Sequence, residues 1–306
     1  MLRADNREIA SACIKRWNTE DDRTTYFAEH FDEWILQIPD DIYDIVLRLL
    51  DKFEYYSQKS VNCSLYKLGR MLDSCETFNG DVAVYTHIPS KKGIENSSID
   101  YLYDYKHIHG VVKYKIAFDL KRYVEAHKEQ IENVVVIDDF CGSGNSLKYF
   151  FEVNDEWLNG KTVYYLVTYA MDGAIRFLHT AAAEYNITLH ILYINHAAKA
   201  FDDTAITNNP DEDRRLIKSF SRSVRIPKDY RLGKYETESL VSFCGDTPNN
   251  TIGIFWSDTE KYFSIFPRAR EDSKAVKRPS PSSMREGKKQ RNIQNYNAST
   301  KEPIHG

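Results

Sequence analysis

Val134-Val135-Val136-Ile137-Asp138-Asp139-Phe140-Cys141-Gly142-Ser143-Gly144-Asn145-Ser146 is the stretch whose reading decides the fold of this chain. Four consecutive β-branched residues fit a strand covered on both faces, as strands of parallel sheets are. The run ends in two acids, at the edge where open α/β sheets bind ligands. Gly142, Ser143, Gly144 and Asn145 then permit a tight turn with positive φ. Successive backbone N–H groups can converge there, at the start of the next helix, as an anion nest. Ser143 and Ser146 add hydroxyl donors, and the paired carboxylates of Asp138 and Asp139 suit the vicinal hydroxyls of a ribose.

Downstream the chain alternates between the two periods. Residues 145–153 read as a helix, 162–169 as a strand, 172–185 as a helix and 187–194 as a strand. Such order with uninterrupted apolar strands predicts α/β architecture with a mostly parallel sheet. In the helix after Asp172, which reads as its N-cap, Ile175, Leu178, Ala182 and Tyr185 form one stripe for packing on the sheet. Residues 214–224 suggest a further helix. Residues 240–243 and 252–256 suggest two short strands of a small C-terminal β appendage, joined through Gly245-Asp246-Thr247-Pro248-Asn249-Asn250.

Upstream, residues to about Cys75 read as helices without an intervening strand, with Ile42, Val46, Leu49 and Phe53 at helical spacing after Pro39-Asp40-Asp41. The α/β character begins with a strand near residues 82–85 and a polar loop at 90–96. The expected organisation is a helical N-terminal region (1–78), an α/β domain with its appendage (79–268) and a basic tail (269–306) too poor in apolar residues to order itself. No internal repeat is visible.

Composition narrows the function classes. The net charge of −4 hides an asymmetry, because residues 268–306 hold ten Lys and Arg against four Asp and Glu, leaving 31 basic and 41 acidic residues in the body. An acidic body repels phosphate backbones, so any nucleic-acid contact belongs to the tail, with its Lys277-Arg278 and Lys288-Lys289-Gln290-Arg291. The N-terminal helices are the other candidate partner surface, for protein. No apolar run approaches a membrane span and the first ten residues are too charged for a signal peptide, which predicts a soluble, cytoplasmic protein without a membrane partner. Five scattered cysteines, none in a CxxC pair, read as free thiols. His107 and His109 lack a third ligand nearby, so no protein metal site is assigned.

The stretch quoted above resembles the signature of type I phosphoribosyltransferases: four apolar residues, two acids, two further residues and a Thr/Ser/Gly-rich turn. The resemblance implies that Asp138 and Asp139 hold the ribose hydroxyls of phosphoribosyl pyrophosphate. It implies equally that Cys141, Gly142, Ser143, Gly144, Asn145 and Ser146 bind the 5′-phosphate. That family usually has a Thr-Thr pair and two glycines where this chain has Gly142-Ser143 and Gly144-Asn145. A narrower likeness is to the phosphoribosyltransferase-like proteins encoded beside bacterial conflict and anti-phage genes, in which an IDDF-GSG-N loop is followed by TPNN and a closing FPR. Here these are residues 137–145, residues 247–250 and Phe266-Pro267-Arg268.

The resemblance further implies a glycosyltransferase acting on a phosphorylated ribose or nucleotide, with Mg²⁺ carried on the substrate's pyrophosphate. In the related enzymes a second loop binds the pyrophosphate, and Lys91, Lys92, Ser97 and Ser98 are the candidates, although the two serines also suit a helix cap. An appended hood covers the base there, making Asn249 and Asn250 candidate base readers, although Pro248-Asn249-Asn250 is also ordinary turn chemistry. Tyr101, Tyr103 and Tyr105 alternate as a stacking platform would, or as core-edge residues, and are assigned no role. Two other classes stay open. One is a nucleotide-sensing module without turnover. The other is an S-adenosylmethionine-dependent methyltransferase, since residues 139–146 are close to the DPFCGSGTT of DNA amino-methyltransferases, although the Asp/Asn-Pro-Pro-aromatic segment such enzymes need is missing.

Overall fold

Val134, Val135, Val136 and Ile137 are wholly shielded from solvent, and the reason is the strand's place in the sheet. The computed structural model describes residues 6–89, 97–127 and 131–268. The chain begins with three helices, α1 (Asn6–Trp17), α2 (Asp22–Ile35) and α3 (Asp40–Asp51). After them come β1 (Glu54–Tyr56), α4 (Gln58–Asp73), β2 (Ala83–His87), α5 (Ser97–His109), β3 (Ile116–Ala117) and α6 (Leu120–His127). Then follow β4 (Asn133–Cys141), α7 (Asn145–Val153), α8 (Asp155–Leu158), β5 (Thr162–Met171), α9 (Asp172–Glu184) and β6 (Thr188–Ala197). The last elements are α10 (Pro210–Ser223) and β7 (Val241–Phe243). The basic tail and the loop carrying Lys91 and Lys92 lie outside the described residues.

Five strands form one sheet in the order β3-β2-β4-β5-β6, with every neighbouring pair parallel. This is the predicted α/β class with a parallel sheet. The strand carrying the two acids is central, flanked by β2 and β5 in hydrogen-bonding register and covered by helices on both faces. Parallel connections run through helices for the usual reason that a crossover must return to the same end of the sheet. All strands therefore deliver their C-terminal ends, and the loops after them, to one edge.

Four readings need correction. Glu54-Tyr55-Tyr56, within the region read as all helical, is a strand pairing in parallel with Val241-Ser242-Phe243. Three residues are too few to show a period, and the partner is remote in sequence. Residues 252–256 are not a strand. Their centre is a 3₁₀ turn at Gly253–Phe255, capped by Trp256, whose indole N–H donates to the Thr251 carbonyl at 2.7 Å. A short buried apolar run does not by itself distinguish strand from turn. Asp172 is not an N-cap either, because β5 runs directly to Met171 in the cap position, and the Asp172 carboxylate accepts a hydrogen bond from His196 instead. The last helix also begins earlier than the apolar pattern suggests, at Pro210 with Asp211, Glu212 and Asp213 in its first turn. Proline at a helix start and acids near the positive dipole end explain that start.

A second core joins the N-terminal helices to residues 200–266. Phe266 stacks on Phe53, with ring centroids 4.9 Å apart, and on Phe27 and Tyr55, each at 5.5 Å. The buried Trp34 indole donates to the Tyr262 hydroxyl at 2.6 Å, which in turn donates to the Ile254 carbonyl. The helical region and the C-terminal segment thus form one layer, and the β1–β7 pair carries it over the sheet edge where Phe243 and Tyr56 meet Phe140 and Tyr169.

Candidate functional site

Strand β4 ends with Asp138 buried and Asp139 half-buried. The two carboxyls are hydrogen-bonded to each other, and the backbone fixes both: the Asp139 N–H donates to Asp138 Oδ1 at 3.0 Å and the Phe140 N–H to Asp139 Oδ1 at 2.8 Å. The Tyr165 hydroxyl on β5 donates to Asp138 Oδ2 at 2.9 Å. Burial, and after it the charge of Asp139, holds the Asp138 carboxyl well above the ordinary carboxylate range. Burial also raises Asp139, against the pull of hydrogen bonds from the Ser97 hydroxyl and from Asp138. The pair therefore keeps a proton, placed on Asp138, to higher pH than free carboxylates would, since two adjacent buried charges repel.

The turn that follows is built for close backbone approach. Gly144 sits at the N-cap of α7 with φ 80° and ψ −11°, the left-handed region where a side chain is strained, and it supplies no capping group. The Asn145 N–H that opens α7 donates to the Ser143 hydroxyl at 3.4 Å, and the N-cap position supplies no side-chain hydrogen bond. Helix α9 presses on the loop from behind: a Cβ at Gly144 would lie 2.8 Å from Phe177 Cδ1 and 3.0 Å from Leu178 Cγ. From the other side comes Asn250, whose Cγ lies 2.5 Å from where a Gly142 Cβ would stand. Cys141 is buried, and its thiol, hydrogen-bonded to Tyr165 and to the Gly144 backbone, is pushed up to about 12 by burial and then by Asp138.

Asn249 and Asn250 are held in place by a loop with unusual backbone. Gly233, Tyr235, Glu236 and Glu238 have φ of 77°, 60°, 50° and 53°. Positive φ at non-glycine residues marks a conformation that the surroundings enforce. The enforcing contacts are visible. The Lys234 N–H donates to the Asn249 carbonyl at 2.8 Å, the Thr237 hydroxyl to the Asn250 carbonyl at 2.8 Å, and the Asn250 amide back to the Lys234 carbonyl at 3.1 Å. Thr247 is committed elsewhere: Arg23 donates to its hydroxyl at 2.8 Å, and that hydroxyl donates to the Phe266 carbonyl at 2.9 Å. Arg268 closes the same clamp with an ion pair to Asp246 at 2.9 Å. The TPNN and FPR segments thus divide their labour, with Thr247, Phe266 and Arg268 structural and Asn250 turned to the glycine loop.

Of the other sequence candidates, Ser97 touches Asp139. Ser98 is buried, and its hydroxyl donates to the Ile137 carbonyl at 2.6 Å while accepting the Ile88 N–H at 2.9 Å. It stitches the ends of β2 and β4 together and has no donor left for a pyrophosphate. Sequence reasoning missed Tyr165, and Tyr101 was left without a role. The Tyr101 hydroxyl is buried without a hydrogen-bond partner among the described residues, and Asp139 is the charge it feels most. His87, across from Ile137 at the end of β2, likewise has an unpartnered buried Nδ1, and burial lowers its pKa. A tyrosine inside an apolar strand run was the available signal for Tyr165, because its hydroxyl must find a buried acceptor.

An all-parallel sheet with a carboxyl pair and a glycine turn at the C-terminal end of its central strand is the arrangement of a phosphoribosyltransferase-like fold. The family model PRTase-CE matches residues 31–268, and the chain belongs to that family. It is a phosphoribosyltransferase-like protein, and the matched span crosses from the helical region into the α/β core and on to the closing FPR. No curated protein and no solved structure is matched. No helix among the described residues is long and apolar enough to cross a membrane.

Proposed function

We propose that this chain binds phosphoribosyl pyrophosphate, or a closely related 5′-phosphorylated ribonucleotide, and transfers the phosphoribosyl group. The observation that carries the reading is the juxtaposition of the Asp138–Asp139 pair with the uncapped start of α7. A 5′-phosphate has N–H donors there and the ribose hydroxyls have acceptors one turn away. Transfer forms a bond from the acceptor to the anomeric carbon while the carbon–oxygen bond to pyrophosphate breaks, the electron pair leaving with pyrophosphate. Positive charge develops on the sugar, and Asp139 is the half-exposed acid beside it.

Among the described residues no group of three or more His, Cys, Asp and Glu is arranged to hold a metal. Mg²⁺ would be carried mainly on substrate oxygens and waters and would there supply positive charge for the leaving pyrophosphate. Asn249 and Asn250 would read the base or acceptor edge, and Ser97 with Lys91 and Lys92 would face the pyrophosphate. The likeness to proteins encoded beside anti-phage genes supports a cytoplasmic role as an effector of such a system.

The test is calorimetry with ligands of different class. Replacing Asp138 and Asp139 together by Asn weakens phosphoribosyl pyrophosphate at least about tenfold, since bonds to charged acceptors are worth about 1.5–3 kcal/mol each. Affinity for inorganic phosphate stays equal or rises, because negative charge near the anion has gone. Tight binding of S-adenosylmethionine with none of phosphoribosyl pyrophosphate would overturn the proposal. Binding without pyrophosphate release would identify a sensing module.

A further inference from the structure

A second concave site opens on the same edge of the sheet. A cavity of about 500 Å³ lies at the C-terminal ends of β5 and β6, lined among others by Lys52, Glu54, Tyr169, His196, Lys199 and Glu238. That volume is in the range of small-molecule sites. His196 lines it at an exposed position, and its Nδ1 stands 2.7 Å from Asp172 Oδ1. Asp172 begins α9 directly after β5 and His196 is next to last in β6, so the dyad spans two neighbouring strand ends. A carboxylate on Nδ1 fixes the proton there and leaves the Nε2 lone pair outward. Nε2 has no partner among the described residues.

The position matters more than the pair itself, because an exposed ion pair contributes under about 1 kcal/mol. Cys141 is in register with Ala170, and Ala170 with His196. Two inter-strand steps put His196 about 10 Å from the start of the glycine loop. A ribose 5-phosphate anchored in the nest covers much of that span. The Phe140 ring lies 6.1 Å from Tyr169, so one wall joins the two sites. The other acids at the cavity are less suited to take a proton. Glu238 is held by Arg214 at 2.7 Å and by the Phe201 N–H, Asp202 is paired with the same Arg214 at 2.6 Å, Asp203 Oδ1 accepts the Ala205 N–H at 2.8 Å, and Glu54 is sunk toward the β1–β7 pair. Tyr169 is raised out of range by burial and by the neighbouring Tyr56, Glu54 and Asp172, and Tyr193 packs edge-on against the His196 ring.

We propose that His196, oriented by Asp172, is the catalytic base for the acceptor, a compact molecule bearing an O–H or N–H that occupies this cavity. The inference rests on phosphoribosyl transfer being the reaction. The acceptor's bond to hydrogen breaks, the proton goes to His196 Nε2, and the freed lone pair forms the new bond to the anomeric carbon as pyrophosphate departs. Water can serve as the simplest acceptor, giving ribose 5-phosphate and pyrophosphate.

The experiment uses the full chain with phosphoribosyl pyrophosphate, Mg²⁺ and water. His196→Ala is expected to bind phosphoribosyl pyrophosphate within about threefold of the parent, yet release pyrophosphate at least about 100-fold more slowly, the ordinary worth of a general base. Added imidazole, which fits the space vacated, restores the rate. Asp172→Asn slows release with unchanged binding, and imidazole does not restore it. Unchanged release in His196→Ala, absence of imidazole rescue, or binding lost together with rate each overturn the assignment. If the parent binds no phosphoribosyl pyrophosphate, the reading of the function itself fails. If it binds but releases no pyrophosphate, the chain is a sensing module and the transfer reading fails together with the base assignment, whereas unchanged release in His196→Ala sinks the base assignment alone.

Discussion

Replacing Gly233 by alanine tests whether the strained loop 233–238 is what holds Asn250 on the glycine nest. Gly233 has φ 77°, and a Cβ there would stand 1.8 Å from the Asn250 carbonyl oxygen and 2.5 Å from its carbon. The obstruction is backbone, so no rotamer relieves it. With ψ 153° this is a conformation open essentially to glycine alone, and it costs an alanine about 1–3 kcal/mol. Moving the Asn250 peptide away also breaks the bonds it receives from the Thr237 hydroxyl at 2.8 Å and the Ser239 N–H at 3.3 Å, and strains that from Lys234 to Asn249. At about 1 kcal/mol each, the sum is on the order of 4 kcal/mol. Urea denaturation should show that loss as a lower midpoint at unchanged slope. Gly245→Ala, where nothing lies within 4 Å of the added carbon, is the control and should change stability by less than about 0.5 kcal/mol. A Gly233→Ala variant within about 1 kcal/mol of the parent would refute the claim that the loop clamps Asn250.

Two further perturbations probe the acids and the second core. Because the folded state holds the Asp138 proton more tightly than the unfolded chain, the stability from this group is full below the unfolded carboxylate range and is lost as pH rises through the folded pKa. Asp138→Asn should therefore gain stability over the parent as pH rises from about 4 toward 8, and a thermal-melt difference independent of pH would contradict the shared-proton arrangement. Phe266→Ala should cost about 3–5 kcal/mol, since its ring is fully buried among Phe27, Phe53 and Tyr55. A loss under about 1 kcal/mol in chemical denaturation would mean the FPR segment is not a core element.

The sheet was legible because its central strands β4 and β5 are mostly apolar runs set between helical stripes. Residues 134–137 are buried on both faces, and a local pattern then reports the global environment. The acids and the glycine turn were legible for the same reason, their place after such a strand. What stayed hidden came from pairings between distant segments. Glu54 to Tyr56 carries no period of its own and becomes a strand only through Val241 to Phe243. Tyr165 looked like one more apolar position until its hydroxyl met Asp138. The His196–Asp172 contact joins a residue read as a helix cap to one that lies two positions beyond the strand read at 187–194. Ser98 was misjudged because a hydroxyl beside a loop says nothing about whether its bonds are already spent inside the protein.

The strand made by Glu54, Tyr55 and Tyr56 also sets an order of events during synthesis. The segment leaves the ribosome early, but its partner strand and the aromatic residues that cover Trp17, Phe27 and Trp34 emerge only after the whole parallel sheet has been made. Contacts of such long sequence separation form late and slowly. At ordinary elongation rates of about 5–20 residues per second, the N-terminal helices wait roughly ten seconds or more with their apolar faces uncovered. The nascent chain is thus a natural client for a holding chaperone, and a ribosome stalled before residue 241 would carry a finished parallel sheet beside a sticky, unclosed roof.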